Sequence, residues 1–309
     1  MKIKKIFHAA LAWSFVLLSP FAFANDEQGE LTINDHIRTF LIHVPDRSPP
    51  AEGFPLILAF HGGGMQGEGM RRLTHLDQVA DTRGFIVVYP NGIDKHWNDG
   101  RSSIKNPQDD VAFVSALIDR MTHLSRIDQE RVYATGISNG ALFAERLGCD
   151  LSGKIHGIAP VAGSLPSDLV LICHPRRAIA VMQIDGTKDP IMPFGGGAVS
   201  TLGGAGEGGD VISVPATASF WAKQNHCSTH ASQQLLPPIV AFDRTRIMEA
   251  RYQGCAPGAP VTLLSVIGGG HAWPGGPQYA RPRVVGFASQ QLDASETIAS
   301  FFLSLPRAK

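Results

Sequence analysis

The sequence predicts an α/β fold with a mostly parallel central sheet flanked by helices. Short, wholly apolar runs at 56–60 and 85–89 are typical of strands buried on both faces. Segments with helical spacing alternate with these runs. The clearest is 109–125, where apolar residues share one face and two aspartates lie in the first turn. This alternation indicates βαβ units and hence a parallel sheet.

The other elements continue the alternation. Further strands are expected at 38–44, 131–137, 155–160, 178–184 and 261–267. Further helices are expected at 73–83, 139–147, 215–225 and 294–303. The glycine-rich stretch 195–209 is expected to be a flexible loop. Because no repeat or linker divides the chain, residues 25–309 are expected to form one domain.

The N-terminus has the three-part layout of a secretory signal peptide. Three lysines in Met1–Lys5 precede an apolar run at 6–18, and small residues stand at the −3 and −1 positions of a cut after Ala24. The apolar run is shorter than the roughly 20 residues that span a bilayer, which disfavours the alternative of an uncleaved anchor. We therefore expect residues 1–24 to be removed and the mature protein to be periplasmic or secreted.

Net charge and composition narrow the classes of partner. The 27 basic residues balance 27 acidic ones, so nucleic acid and anionic membrane surfaces are not expected partners. The chain has no His-Glu-x-x-His or comparable pair of metal ligands. We expect neither a metal nor a cofactor, and a substrate that is small or neutral.

Four cysteines suit an oxidising compartment. Proximity along the chain favours the pairs Cys149–Cys173 and Cys227–Cys255, although four cysteines allow three connectivities. The alternative of a zinc site is disfavoured because no two of them have Cys-x-x-Cys spacing.

The strongest chemical motif is Gly-x-Ser-x-Gly at 136–140, between an apolar strand and a helix. In this context the serine lies on a tight, strained turn that projects its hydroxyl from the carboxyl edge of the sheet. The motif therefore predicts Ser138 as a nucleophile.

A second motif, His-Gly-Gly-Gly at 61–64, follows the strand at 56–60. Acyl transfer places negative charge on a carbonyl oxygen, and preorganised backbone N–H groups stabilise that charge. The expected donors of this oxyanion hole are Gly62, Gly63 and Asn139. We also considered His61 as a residue that contacts substrate.

The base and the acid are expected after the serine along the chain. His271 follows the last predicted strand within a mobile, glycine-rich setting, which is where a general base belongs if the order is nucleophile, acid, histidine. Two aspartates after the strand at 178–184 could orient its ring. We prefer Asp189, which lies further into the loop, over Asp185 at the strand end.

Together these motifs resemble the poly(3-hydroxybutyrate) depolymerase-like esterases, which are similar to feruloyl and acetylxylan esterases. The resemblance runs from about residue 38 to 303 and rests on seven ordered motifs. They are His61–Gly64, Tyr89–Gly92, Asp109–Val111, Gly136–Gly140, Ala159–Gly163, Gly186–Asp189 and Gly270–Gly275.

The resemblance implies an α/β-hydrolase fold and ester hydrolysis without a cofactor. It assigns a triad to Ser138, Asp189 and His271, and it supports the two disulfide pairs named above. The chain departs from the family at Asp185, where a histidine is usual, so a second carboxylate stands beside the assigned acid.

The substrate is the open question at this stage. Hydroxyalkanoate polyesters or their oligomers are one expectation, with oligomers favoured because no added surface-binding module is evident. The alternative is feruloyl or acetyl esters on plant polysaccharide. Trp97 and Trp273 could form an aromatic platform for either, or could be core residues. An acyltransferase and a non-catalytic binding protein on the same scaffold are weaker alternatives.

Overall fold

A computed structural model describes residues 26–124, 127–201 and 208–307. The predicted signal peptide lies outside these ranges. The described strands are β1 Asp26–Ile33, β2 His36–His43, β3 Phe54–Phe60, β4 Ile86–Pro90, β5 Ile127–Ile137, β6 Gly157–Val161, β7 Ala180–Gly186, β8 Gly197–Ala198, β9 Asp210–Val211, β10 Ala231–Leu235, β11 Arg246–Tyr252 and β12 Val261–Ile267. The described helices are α1 Gly67–Thr74, α2 Leu76–Arg83, α3 Asp110–Leu124, α4 Asn139–Asp150, α5 Val214–Gln224, α6 Pro282–Val285 and α7 Ala294–Ser304.

Ten of the described strands form one sheet in the order β1-β2-β4-β3-β5-β6-β7-β12-β11-β10. The central pairs from β4 to β12 are parallel, whereas β1, β2, β10 and β11 pair antiparallel at the two edges. The predicted parallel centre is confirmed. The edge strands β1, β10 and β11 were not predicted, because these partly exposed strands lack the continuous apolar run that marks a buried strand.

Helices cover both faces of the sheet. The alternation of side chains along β3 shows why, since Leu56 and Leu58 face one core while Ile57 faces the other. The first core is closed by α3, α4 and α5, and the second by α1, α2 and α7.

The predicted helix at 73–83 is in fact two helices. Residue His75 adopts a left-handed conformation (φ 52°, ψ 29°), and its N–H donates to Arg71 O, which ends α1 just before α2 begins. The apolar spacing continues through the break, so the pattern of hydrophobic residues alone did not reveal it. Both helices pack on the same core.

Both disulfides favoured by chain proximity are present, Cys149–Cys173 and Cys227–Cys255. The first joins the end of α4 to the segment before β7, and the second joins the segment after α5 to the segment after β11. Within the described residues, no helix is long and apolar enough to cross a membrane.

Candidate active site

The predicted functional residues converge at the carboxyl edge of the parallel strands. The neighbouring strands β3 and β5 are followed by α1 and α4, which lie on opposite faces of the sheet, so the two connections diverge and leave a crevice at this edge. Segments that follow β3, β5, β7 and β12 meet there. A cavity of about 280 Å³ is lined by Gly62, Gly63, Ser138, Asn139 and His271, among others.

Ser138 lies in the strained turn between β5 and α4. Its backbone has φ 59° and ψ −124°, a region that non-glycine residues rarely adopt. The Ser138 N–H donates to Val161 O on β6, while Ser138 O accepts from the N–H groups of Ala141 and Leu142. These bonds hold the serine at the N-terminus of α4.

Two glycines make this turn sterically possible. A Cβ on Gly136 would lie 2.4 Å from Gly140 O, and a Cβ on Gly140 would lie 2.3 Å from Phe60 O. Because all these contacts are with backbone atoms, no side-chain rearrangement could relieve them. The motif therefore allows β5 and α4 to pack directly against the end of β3.

His271 and Asp189 form a buried pair beside the serine. The distance from His271 Nδ1 to Asp189 Oδ2 is 2.7 Å. The other carboxylate oxygen of Asp189 accepts from the N–H groups of Ile191 and Met192, at 2.7 and 2.8 Å. The carboxylate is thus fixed by its own loop and is positioned to orient the imidazole.

The glycine-rich segment around His271 is held by hydrogen bonds to neighbouring segments. The N–H of His271 donates to Val285 O, and its carbonyl accepts from the Tyr279 hydroxyl at 2.8 Å. A Cβ on Gly270 would lie 2.1 Å from Val285 O. Glycine is needed here because the segment around Val285 crosses close above the histidine turn.

Asp185 does not contact His271 but is buried in the next layer. Its Oδ1 accepts from Gly163 N and its Oδ2 from Gln183 Nε2, at 2.8 and 2.7 Å. Burial raises the pKa of Asp185 to about 8, and the charge of nearby Asp189 acts in the same direction. Of the two aspartates, only Asp189 is placed against the histidine.

The two predicted halves of the oxyanion hole are joined by one brace, formed by residues 92–101. On the serine side, the Asn139 amide bonds the backbone N–H and C=O of Trp97 at 2.8 and 3.0 Å and also donates to Asp99. On the glycine side, Trp97 Nε1 donates to His61 O at 2.9 Å, and Gly64 N donates to Lys95 O. Gly62 and Gly63 line the cavity.

His61 supports this turn and does not contact the cavity. The side chain is fully buried, its Nδ1 lies 2.9 Å from Gly62 O, and its Nε2 accepts from Gly92 N at 3.0 Å. Burial lowers the pKa of His61 to about 4, so the ring is neutral at physiological pH. His61 therefore lies behind the cavity wall, and its contact with substrate stays a prediction.

The aromatic platform predicted from Trp97 and Trp273 is also absent from the cavity wall. Trp97 is buried and stacks on Phe143 with ring centroids 5.1 Å apart. Trp273 is buried and donates from Nε1 to Ser295 Oγ at 3.0 Å. Both indoles find their apolar surface and their hydrogen-bond partner inside the protein, which explains why they are core residues.

Several cavity residues were not found from the sequence. Much of the wall is apolar and comes from segments far apart in the chain, namely Met65, Ile137, Ile191, Met192, Val199 and Val285. Arg101, Tyr279 and His96 add polar groups. These scattered residues follow no regular spacing in the sequence, so no pattern predicts them. For His96, the nearby motif Tyr89–Gly92 was the one indication.

A cluster of Asp26, His43 and Asp77 has ligand atoms close enough for a metal ion. However, the Arg71 guanidinium donates hydrogen bonds to the carboxylates of Asp26 and Asp77. The distance from His43 Nε2 to Asp81 Oδ1 is 2.9 Å. A guanidinium therefore already compensates the charge, and the cluster serves to tie β1 and β2 to α1 and α2.

The buried carboxyls behind the serine predict a dependence of stability on pH. Burial also raises the pKa of Glu145 to about 8, and this residue bonds Trp221 Nε1 at 2.5 Å. Between their ordinary pKa values of 3.8 and 4.5 and about 8, the folded protein keeps protons on Asp185 and Glu145 that the unfolded chain releases. Raising the pH through this window therefore favours unfolding.

We expect the free energy of unfolding to decrease from pH 5 to pH 8 less steeply in the variant Asp185→Asn/Glu145→Gln than in the wild type. Urea unfolding at both pH values measures this difference. The matched control is Glu52→Gln, which removes an exposed carboxyl. An identical pH dependence in the double variant and the wild type would contradict the assigned protonation.

The described sheet and the helices on its two faces form an α/β-hydrolase fold. The sequence profile of the family described as "Esterase PHB depolymerase" matches residues 40–192. The protein "Putative esterase NocK" of Nocardia uniformis subsp. tsuyamanensis is 30% identical over 92% of this chain and 84% of its own length. The chain therefore belongs to the PHB depolymerase esterase family.

The names of other similar proteins specify the kind of ester. "Feruloyl esterase B" of Piromyces equi is 27% identical over 76% of this chain, which spans 42% of that protein. The structure of an acetyl xylan esterase from Aspergillus awamori superposes with a TM-score of 0.56 over 80% of this chain and 94% of its own, at 13% identity. At that identity the structural likeness confirms the α/β-hydrolase fold alone.

Proposed function

We propose that this protein hydrolyses carboxylic esters through an acyl-enzyme on Ser138, with His271 as general base and Asp189 as its orienting acid. The proposal rests on the geometry of these three residues. A serine in a strained strand–helix turn shares a cavity with a histidine whose far nitrogen lies 2.7 Å from a buried, doubly anchored aspartate.

In the proposed mechanism, His271 Nε2 accepts the Ser138 proton as the hydroxyl oxygen attacks the ester carbonyl. Asp189 holds the proton of Nδ1 and stabilises the imidazolium. The amides of Gly62 or Gly63 and of Asn139 donate to the oxyanion. His271 then gives its proton to the leaving alcohol, and water repeats the sequence to release the acid and restore the serine.

The substrate that we propose is a hydroxyalkanoate ester, most simply an oligomer of 3-hydroxybutyrate. The family profile points to this chemistry, and the mainly apolar cavity suits a short aliphatic acyl chain. The second candidate is a feruloyl or acetyl ester, which the names of the fungal relatives favour. The two disulfides support export of the protein, for which residues 1–24 would be the signal.

A parallel assay of the purified protein tests this proposal. Oligomers of 3-hydroxybutyrate, methyl ferulate, and p-nitrophenyl acetate and butyrate are compared by kcat/KM, and Ser138 is labelled with a fluorophosphonate. We expect hydrolysis with a preference for the oligomers. A preference for ferulate would replace the substrate by the second candidate, and product analysis with an added alcohol would reveal an acyltransferase. Absence of both labelling and hydrolysis would contradict the proposed chemistry itself.

A further inference from the structure

His96 occupies a strained turn at the edge of the cavity. The two residues before it, Asp94 and Lys95, both have left-handed backbones, with φ of 52° and 60°. Non-glycine residues adopt this conformation at an energetic cost, and such strain is concentrated where the position of a side chain matters. The turn is also held from within, since the N–H groups of Lys95 and His96 donate to Gly92 O and Ile93 O.

The ring of His96 lies directly over Gly63, one of the predicted donors of the oxyanion hole. A Cβ on Gly63 would lie 2.8 Å from His96 Nε2, so the imidazole occupies the space that any other residue at 63 would need. The ring is half-buried and lines the same cavity as Ser138 and His271. This nitrogen is therefore a polar atom at the cavity wall, next to the site of reaction.

The hydrogen bond at Nδ1 of His96 determines whether Nε2 can donate or accept a hydrogen bond from a ligand. His96 Nδ1 lies 3.1 Å from Asp94 O, and a carbonyl oxygen can only accept a hydrogen bond. In the neutral ring the proton is therefore on Nδ1, and Nε2 presents a lone pair. A lone pair cannot stabilise an oxyanion, so the group that it fits is a donor.

Among the described residues, the ring of His96 is hydrogen-bonded at Nδ1 and not at Nε2. The neighbouring cavity residue Arg101 is bound by the Asp99 carboxylate and by Gly208 O. Much of the remaining cavity lining is apolar, with Met65 and Ile137 as examples, and the Tyr279 hydroxyl donates to His271 O. A hydroxyl on the substrate is the complementary partner.

The order of the strands indicates which part of the substrate reaches His96. His96 follows β4 and His271 follows β12, and these strands lie on opposite sides of β5, which carries Ser138. The leaving alcohol must lie near His271, because that residue protonates it. The acyl chain is then the part that extends towards His96.

From this geometry we propose that His96 is a specificity-determining residue that accepts a hydrogen bond from a free hydroxyl on the acyl chain of the ester. This inference rests on the proposed function and narrows its substrate class to hydroxyacyl esters. The hydroxyl has two chemical sources, an aliphatic hydroxyacyl chain and a phenolic acyl group. Both would place an O–H donor against Nε2.

The test compares substrates that differ only in this hydroxyl. The aliphatic pair is p-nitrophenyl 3-hydroxybutyrate and p-nitrophenyl butyrate, and the phenolic pair is methyl ferulate and methyl 3-methoxycinnamate. For each pair, the ratio of kcat/KM for the hydroxylated ester to that for its partner is measured in the wild type and in His96→Phe. We expect the ratio to fall about tenfold in the variant for one pair, which identifies the source of the hydroxyl.

Two further variants make the result specific. His96→Gln keeps an acceptor and should retain a larger part of the selectivity than His96→Phe. The matched control is His123→Phe, because His123 has the same Nδ1-to-carbonyl contact, to Asp119 O, on an exposed helix surface. Any general loss of activity caused by changed packing at Gly63 cancels in the ratio.

A ratio that is unchanged within twofold for both pairs would overturn the role of His96 while leaving the esterase mechanism intact. Failure of the proposed function is distinguishable, because it would appear as no hydrolysis of either p-nitrophenyl ester together with no fluorophosphonate labelling of Ser138.

Discussion

Replacement of Ser138 by alanine is expected to reduce kcat/KM on the order of 10⁶-fold while leaving the fold intact. The variant lacks the oxygen that forms the acyl-enzyme, so only the binding of substrate and the oxyanion donors would remain to accelerate hydrolysis. Alanine has a Cβ like serine, and the backbone bonds of the turn to Val161 and to α4 do not involve the hydroxyl. Initial rates on p-nitrophenyl butyrate measure the loss of kcat/KM, and urea unfolding measures whether the fold is intact.

The matched control is Ser232→Ala, on the edge strand β10 and outside the cavity. This variant should hydrolyse the ester like the wild type. If Ser138→Ala retained substantial esterase activity with the same unfolding midpoint, the nucleophile would have to be another residue. Mass spectrometry of the fluorophosphonate-labelled wild type would then locate it.

Replacement of Asp189 by asparagine is expected to lower kcat about 10³- to 10⁴-fold with a small change in KM. An asparagine can keep a carbonyl oxygen for the amides of Ile191 and Met192 but then presents an NH₂ group to His271 Nδ1. The imidazole is thereby pushed to the tautomer with its proton on Nε2, which cannot accept the proton of Ser138.

Asp185→Asn is the comparison that decides between the two aspartates. The carboxyl of Asp185 is engaged by Gly163 N and Gln183 Nε2 and makes no hydrogen bond to His271, so the loss of one of its oxygens leaves the orientation of the imidazole unchanged. We expect kcat within a few-fold of the wild type. A loss of the size expected for Asp189→Asn, with normal folding, would reverse the assignment of the acid.

The sequence predicted the parallel centre of the sheet because continuous apolar runs such as β3 and β4 leave no other element that could bury them. It also located the strained serine turn, since Gly136 and Gly140 are required by contacts of backbone with backbone. Both features depend on residues that are close together in the sequence, so a single sequence is enough to predict them.

The features that the sequence did not reveal depend on contacts between distant segments. The burial of Trp97 follows from its packing against Phe143, which is 46 residues further along the chain (143 − 97). The hydrogen bond that holds the backbone at His271 comes from the segment that crosses it at Val285. The choice between Asp185 and Asp189 required the position of the imidazole. None of these contacts leaves a periodic signal.

The brace formed by residues 92–101 has a consequence for how the protein loses activity. Asn139 and His61, on the two halves of the oxyanion hole, are both hydrogen-bonded to the same residue, Trp97. Segments linked in this way tend to open together in native-state fluctuations rather than one at a time. Amide hydrogen exchange at the glycine turn and at the start of α4 would then share one opening free energy, and the enzyme would pass from fully assembled to inactive in a single cooperative step.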